Sequence, residues 1–337
     1  PVTLGTYADV EFPSVKDEGG LGFAFNAKTR NQIIDEKKAE IVARLLSLQE
    51  RAGQGLSEDS LTGEDLRYWK MFESLGSDPT RFMTAASRIR FQLGQKDRFL
   101  LGIYYSGRYL RQMEAIFKEE GLPIELTRLP FVDSSFNVNA RSKVGASGIW
   151  QFMPGTARAY MKVNKEVDDR NDPLVATRAA ARLLRSNYQM LGAWSLALTG
   201  YNHGPYGVKQ VVEKMGTTDI SEIVAKYSSR TFGFASQNFY ACFLAALEVE
   251  REARSIFSEP KWSPAIESGE LKAPKLMSWT LLTKMFDGDE ALTIELNPHL
   301  LARARDSRPR IPQGTRLRVP LARLKIAKSA FEGKLSP

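Results

Sequence analysis

The chain has 337 residues and a single cysteine, Cys242, so no disulfide can form within it. In the run Phe239-Tyr-Ala-Cys-Phe-Leu-Ala-Ala-Leu247 that thiol is expected to pack in a core rather than react. Histidine is almost as scarce. His203 and His299 are the only two, which excludes a multi-histidine metal site, and one cysteine offers no zinc-binding spacing. No apolar run approaches the roughly 18 residues needed to cross a bilayer. Repeats of about 20–50 residues are absent, as are low-complexity segments. No block of five or six consecutive basic residues occurs, although the formal net charge is +8. That scattered excess suits nucleic acid, another anionic polymer or no partner beyond solvent.

What is present is ordinary for a globular protein, with 43% hydrophobic and 26% charged residues. The chain begins at Pro1 rather than Met, which fits a trimmed chain or a mature form that has lost its signal peptide. Residues 1–30 are rich in Gly, Asp and Pro and are expected to wrap the surface or stay mobile. Residues 31–120 read as a helical region. Ile34, Ile41, Leu45 and Leu48 recur at helical spacing, Thr62-Gly-Glu-Asp and Asp78-Pro79 look like helix starts, and Ser106-Gly107 should break a helix over 95–120. One helix from Pro123 to about Ser134 would carry Asp133 at its C-terminal end. Helices are further expected at Pro154, from Asp172-Pro173 and over Ser236 to about Arg254. Residues 121–257 make one domain on this reading. Prolines at 260, 264 and 274 mark a linker over 258–276, and 277–337 is a small α+β unit ending in a half-buried strand at Arg316-Leu-Arg-Val319.

The densest chemistry lies between Gly121 and Pro154. Asp133 follows Leu129-Pro-Phe-Val132, so desolvation would raise its pKa toward that of a usable proton donor. The plainer alternative is a helix-end Asp bonded to the following backbone. Glu125 is the nearest upstream carboxylate. Eight residues along a helix is about 12 Å, beyond the roughly 6.5–9.5 Å of an inverting pair, so Glu125 is expected to be structural.

Val132-Asp-Ser-Ser-Phe136, Ala140, Ser142, Gly145-Ala-Ser-Gly-Ile-Trp-Gln151 and Pro154-x-Thr-Ala157 resemble the catalytic domain of lytic transglycosylases. These are enzymes with a fold like goose-type lysozyme, and the motifs look like those of the membrane-bound lytic transglycosylase D group. Gly200-Tyr-Asn-His-Gly204 is similar to that family's Ala-Tyr-Asn-x-Gly motif, and the resemblance runs from about Gly121 to Arg254. The C-terminal unit resembles a LysM-like glycan-binding module more weakly, through Leu296-Asn-Pro298 and the closing Pro-x-Gly-Thr-x-Leu-x-Val-Pro320.

The resemblance implies a mainly α protein with a lysozyme-like domain that cleaves the glycan strands of peptidoglycan. The bond is the β-1,4 linkage between N-acetylmuramic acid and N-acetylglucosamine, or a modified form of it. Asp133 would be the single general acid/base. Ser147 and Gln151 would bind sugar polar groups or act as bonded loop residues, and Tyr201 and Asn202 would face the acid. His203 is expected to be outward or structural. Trp150, Phe152 and Met153 suit either sugar stacking or the core. No metal or organic cofactor and no nucleic acid is implied. The expected setting is the bacterial periplasm or outside the cell, as a monomer, with cell-wall or membrane association open. Two departures stand out. The family's acid is Glu where this chain has Asp133, and its Tyr beside the site is Phe239 here. An acid shorter by one methylene implies weak or lost activity, a shifted backbone, or a substrate altered near the sugar 2-position, for example N-deacetylated. A lysozyme that hydrolyses modified glycan and a non-catalytic glycan-binding protein both remain open.

Overall fold

The computed structural model describes residues 27–73, 76–91, 94–265 and 267–331. The expectation of a wrapping segment over residues 1–30 therefore falls largely outside the described residues, and the first described helix begins at Ala27. The protein is mainly helical, as the periodicity indicates, and forms two compact units, Pro1–Gly94 and Gln95–Pro337. Among the described residues no helix is long and apolar enough to cross a membrane.

The first unit contains α1 (Ala27–Gly53), α2 (Gly63–Met71) and α3 (Thr80–Ala86). The spaced Ile34, Ile41, Leu45 and Leu48 of α1 are all buried. The last three pack with Leu61, Tyr68, Phe72 and Phe82. Arg44 and Arg51 of α1 both reach Asp65 of α2, at 2.9 and 2.8 Å.

In the second unit the helix expected over 95–120 is broken where Ser106-Gly107 lies, giving α4 (Lys96–Ser106) and α5 (Leu110–Glu119). The segment expected as one helix from Pro123 is a 3-10 turn, Ile124–Arg128, followed by the short α6 (Leu129–Asp133). After α7 (Pro154–Ala157) the chain enters α8 (Pro173–Leu191), whose cap Asp172 accepts the backbone N–H groups of Leu174 and Val175. Next come α9 (Trp194–His203), α10 (Pro205–Met215), α11 (Ile220–Lys226), α12 (Phe234–Arg251) and α13 (Ala253–Ile256). Phe117, Leu129, Phe131, Phe136, Trp150, Leu184, Phe239 and Phe243 form the centre of the core between these helices. Cys242 is a correction: it lies exposed on α12, because Phe239, Phe243 and Ala246 define the buried stripe and position 242 falls off it.

The C-terminal part runs strand, helix, helix, strand. Antiparallel β1 (Ser268–Lys272) and β2 (Arg316–Pro320) flank α14 (Trp279–Lys284) and α15 (Glu290–Leu296), and α16 (Leu324–Phe331) follows. Thus a strand lies within the stretch read as a linker. β2 does not alternate as expected: Leu317, Arg318 and Val319 are all buried. Arg318 is buried because its guanidinium reaches across 146 positions to the carboxylate of Asp172. The same junction carries a hydrogen bond from the Asp168 N–H to the His299 carbonyl, at 2.8 Å, and buries Val167 in the C-terminal core.

Candidate active site

Asp133 is the last residue of α6, and the chain turns sharply after it. Ser135 and Phe136 both take left-handed conformations, with φ of 52° and 56°. Each costs on the order of 1 kcal/mol for a residue with a side chain. Three contacts hold the turn. Phe136 is buried edge-on against Phe131, with ring centroids 4.7 Å apart. The Ser134 hydroxyl donates to the Ile149 carbonyl at 2.7 Å. Gly102 of α4 lets that helix approach, since a Cβ there would lie 3.3 Å from Ser135 Cα and 3.1 Å from the Phe131 ring. The packed turn fixes where the acid emerges.

The Oδ2 of Asp133 is buried without a hydrogen-bond partner among the described residues. The residue as a whole keeps partial exposure. Burial alone pushes its pKa up to about 7, with no neighbouring charge as a further cause. Glu125 is exposed on the 3-10 turn.

Tyr201 on α9 stands beside the acid. Its hydroxyl donates to the Trp150 carbonyl at 2.7 Å. Burial first, and then the charge of Asp133, hold the phenol well above its ordinary pKa. The ring lies against Phe152 and Trp150, at centroid distances of 6.1 and 6.4 Å.

The glycine-rich loop is knitted from within and clamped from behind. The Gly148 N–H donates to the Ala140 carbonyl at 3.0 Å, and the Gln151 side chain donates to the Ala140 and Gly148 carbonyls at 3.1 and 2.7 Å. Arg170 pairs with Asp168 and donates to the carbonyls of Gly145 and Phe152 at 2.8 and 3.0 Å. Gly148 has φ of 79° and crosses so closely that a Cβ would lie 1.9 Å from the Arg170 carbonyl oxygen.

The remaining predicted residues divide. Ser147 is 1% exposed, and its hydroxyl donates to Asn171 Oδ1 at 2.7 Å, so it faces the clamp. Gln151, at φ of 46°, commits its amide nitrogen to the loop. Asn202 is exposed at the end of α9, and its Oδ1 accepts from Ser236 at 3.3 Å. His203 touches the same hydroxyl at 3.1 Å. Trp150 is wholly buried, its indole N–H donating to Thr177 at 2.8 Å, and Phe152 is buried; only Met153 is exposed. Phe239 is core. Sequence reading missed Asp168, Arg170, Asn171 and Ser236. The polar run Asp168-Asp-Arg-Asn-Asp172 before a helix start was the available signal for the first three.

Residues 113–224 match the family model described as the transglycosylase SLT domain. Over 107 residues the chain is 35% identical to membrane-bound lytic murein transglycosylase D of Escherichia coli strain K12, covering 31% of this chain and 24% of that protein. The same identity and coverage hold for the protein of that name in Escherichia coli O6:H1. The chain thus spans about a quarter of the length of these two relatives. An inactive mutant of lytic transglycosylase Slt from Pseudomonas aeruginosa aligns with a TM-score of 0.38 and 20% identity, over 63% of this chain and 33% of that one. Asp133, the clamped loop and Tyr201 thus all lie within the residues that match the transglycosylase SLT domain, in a chain similar to membrane-bound lytic murein transglycosylase D.

Proposed function

We propose that the protein cleaves peptidoglycan glycan strands with Asp133 as its single general acid/base. The observation that carries this reading is the Asp133 carboxyl, with an unpartnered buried oxygen and a pKa of about 7, whose charge bears on Tyr201. A carboxyl tuned near neutrality can give a proton and take one back. In the first step Asp133 protonates the glycosidic oxygen as the C1–O bond breaks and its electrons pass to that oxygen. The resulting carboxylate then accepts the proton of the muramic acid 6-hydroxyl as that oxygen bonds to C1. Burial is the whole cause of the Asp133 shift, which favours one acid over a coupled pair.

On this reading Tyr201, Gln151 and Asn202 line the glycan. Gln151 has its Oε1 and Asn202 its amide nitrogen unengaged among the described residues, whereas Ser147 serves the loop. Residues 121–257 do the chemistry, 258–276 connect, and the LysM-like 277–337 assists glycan binding. The protein works as a monomer in the bacterial periplasm or after secretion. The shorter acid reaches less far than a Glu, which favours a glycan modified near the 2-position, such as an N-deacetylated strand. Mass spectrometry of products from normal and N-deacetylated peptidoglycan tests this. Anhydro ends support transglycosylation and reducing ends a lysozyme. Intact strands that still bind would replace the enzyme by a binding protein.

A further inference from the structure

Asn202, His203 and Ser236 form a hydrogen-bonded chain that the cleavage chemistry does not use. Asn202 and His203 close α9, and Ser236 lies in the first turn of α12, 7% exposed. Its hydroxyl lies 3.1 Å from His203 Nδ1 and 3.3 Å from Asn202 Oδ1. The imidazole is held in place. It packs edge-on to Phe232 with centroids 5.0 Å apart, and its Nε2 and Cδ2 lie so close over Gly207 that a Cβ there would meet them at 2.9 and 2.8 Å.

We propose that His203 and Ser236 are positioning residues that lock the Asn202 amide with its oxygen inward, so that Asn202 offers the glycan an N–H donor. The proposal rests on the reading of Asn202 as part of the glycan-binding wall. A serine hydroxyl has one proton, and here that proton goes to Asn202 Oδ1. The hydroxyl can then meet His203 only as an acceptor, which requires the Nδ1–H tautomer. Burial lowers the pKa of His203, which favours the neutral ring with one N–H. The chain has one direction: Nδ1–H to Oγ, Oγ–H to Oδ1. Asn202 Nδ2 makes no hydrogen bond among the described residues, and the residue is exposed. The opposite tautomer would reverse every link and turn the amide oxygen out. The tautomer of His203 therefore reports which group Asn202 presents.

The consequence is a preference among sugar groups. An outward N–H pairs with a hydroxyl, acetamido or carboxylate oxygen. An ammonium placed against it meets donor with donor and loses a partner, so any N-deacetylated amino group must lie away from Asn202.

The test uses the full chain labelled with 15N-histidine. With two histidines in the sequence, long-range 1H–15N spectra at pH 8 contain two ring systems, and His203→Asn identifies the first by its disappearance. An Nδ1–H signature for His203 is expected, and an Nε2–H signature would overturn the proposal. Separately, Ser236→Ala should raise KM for glycan strands about fivefold with kcat held within about twofold, and Ser236→Thr should restore KM. An unchanged KM in Ser236→Ala would also overturn it. If the wild type cleaves no glycan, the glycosidase reading falls, and the tautomer measurement still decides the chain of hydrogen bonds.

Discussion

Asp133 and Tyr201 are electrostatically coupled across the site: the carboxylate charge helps raise the phenol pKa, while the phenol proton is committed to the Trp150 carbonyl. The acid comes from α6 and the phenol from α9, and Arg170 holds the loop between them through the Gly145 and Phe152 carbonyls. Tyr201→Phe removes the donor from a wholly buried carbonyl and should cost about 1–3 kcal/mol of stability, read as a lower denaturation midpoint at unchanged slope. Loosening that wall should also lower kcat, by about 10–100-fold, in a single-turnover cleavage assay.

The raised pKa of Asp133 ties stability to pH. Below about pH 4 the carboxyl is protonated in both the folded and unfolded chain, and it contributes no difference. Between about pH 4 and the folded value of about 7, the unfolded chain ionises while the folded one holds its proton, so stability falls as pH rises. Above that value the penalty is constant. Asp133→Asn should remove this decline and be more stable than wild type by about 2–4 kcal/mol at pH 8, with no gain at pH 3.5. Urea denaturation of both proteins at the two pH values measures the difference.

Gly148 and Gly155 offer a controlled comparison. A Cβ at Gly148 collides with the Arg170 carbonyl at a positive φ, whereas Gly155, within α7, has nothing within 4 Å of an added Cβ. Gly148→Ala should lose more than about 3 kcal/mol. Gly155→Ala should be neutral or gain up to about 1 kcal/mol. Paired thermal melts decide it.

Arg318 closes the carboxylate of Asp172 into the core, and His299 Nδ1 lies 3.8 Å from the same carboxylate. Arg318→Met would strand a buried charge at the cap of α8, at a cost of about 3–5 kcal/mol. Denaturant titration should show the fall, with Arg318→Lys closer to wild type.

The local half of this molecule could be read from its sequence. Apolar spacing in α1, the Asp172-Pro173 helix start and the break at Ser106-Gly107 each depend on neighbours within a turn or two. The motif loop was recognisable as a unit, and Asp133 was singled out by its place in the motifs that carry the resemblance, with its apolar flank beside it. What the sequence hid depends on distant partners. Arg318 looked like the solvent side of a strand because its partner Asp172 lies 146 positions away. Ser147 looked available because the residue that engages it, Asn171, sits beyond the next helix. The segment before Asp133 reads as one helix by pattern, yet folds as a 3-10 turn and a short α-helix. Cys242 sits among apolar residues in sequence but off the buried stripe in space.

The central claim is that the Asp133 carboxyl performs the cleavage. Mass spectrometry of muropeptides released by wild type and by Asp133→Asn, from normal and N-deacetylated sacculi at matched protein concentration, tests it most directly. The account predicts release by wild type and none above buffer by the variant, whose fold is intact and whose stability at pH 8 is raised. Release by Asp133→Asn at a rate near that of wild type would contradict it.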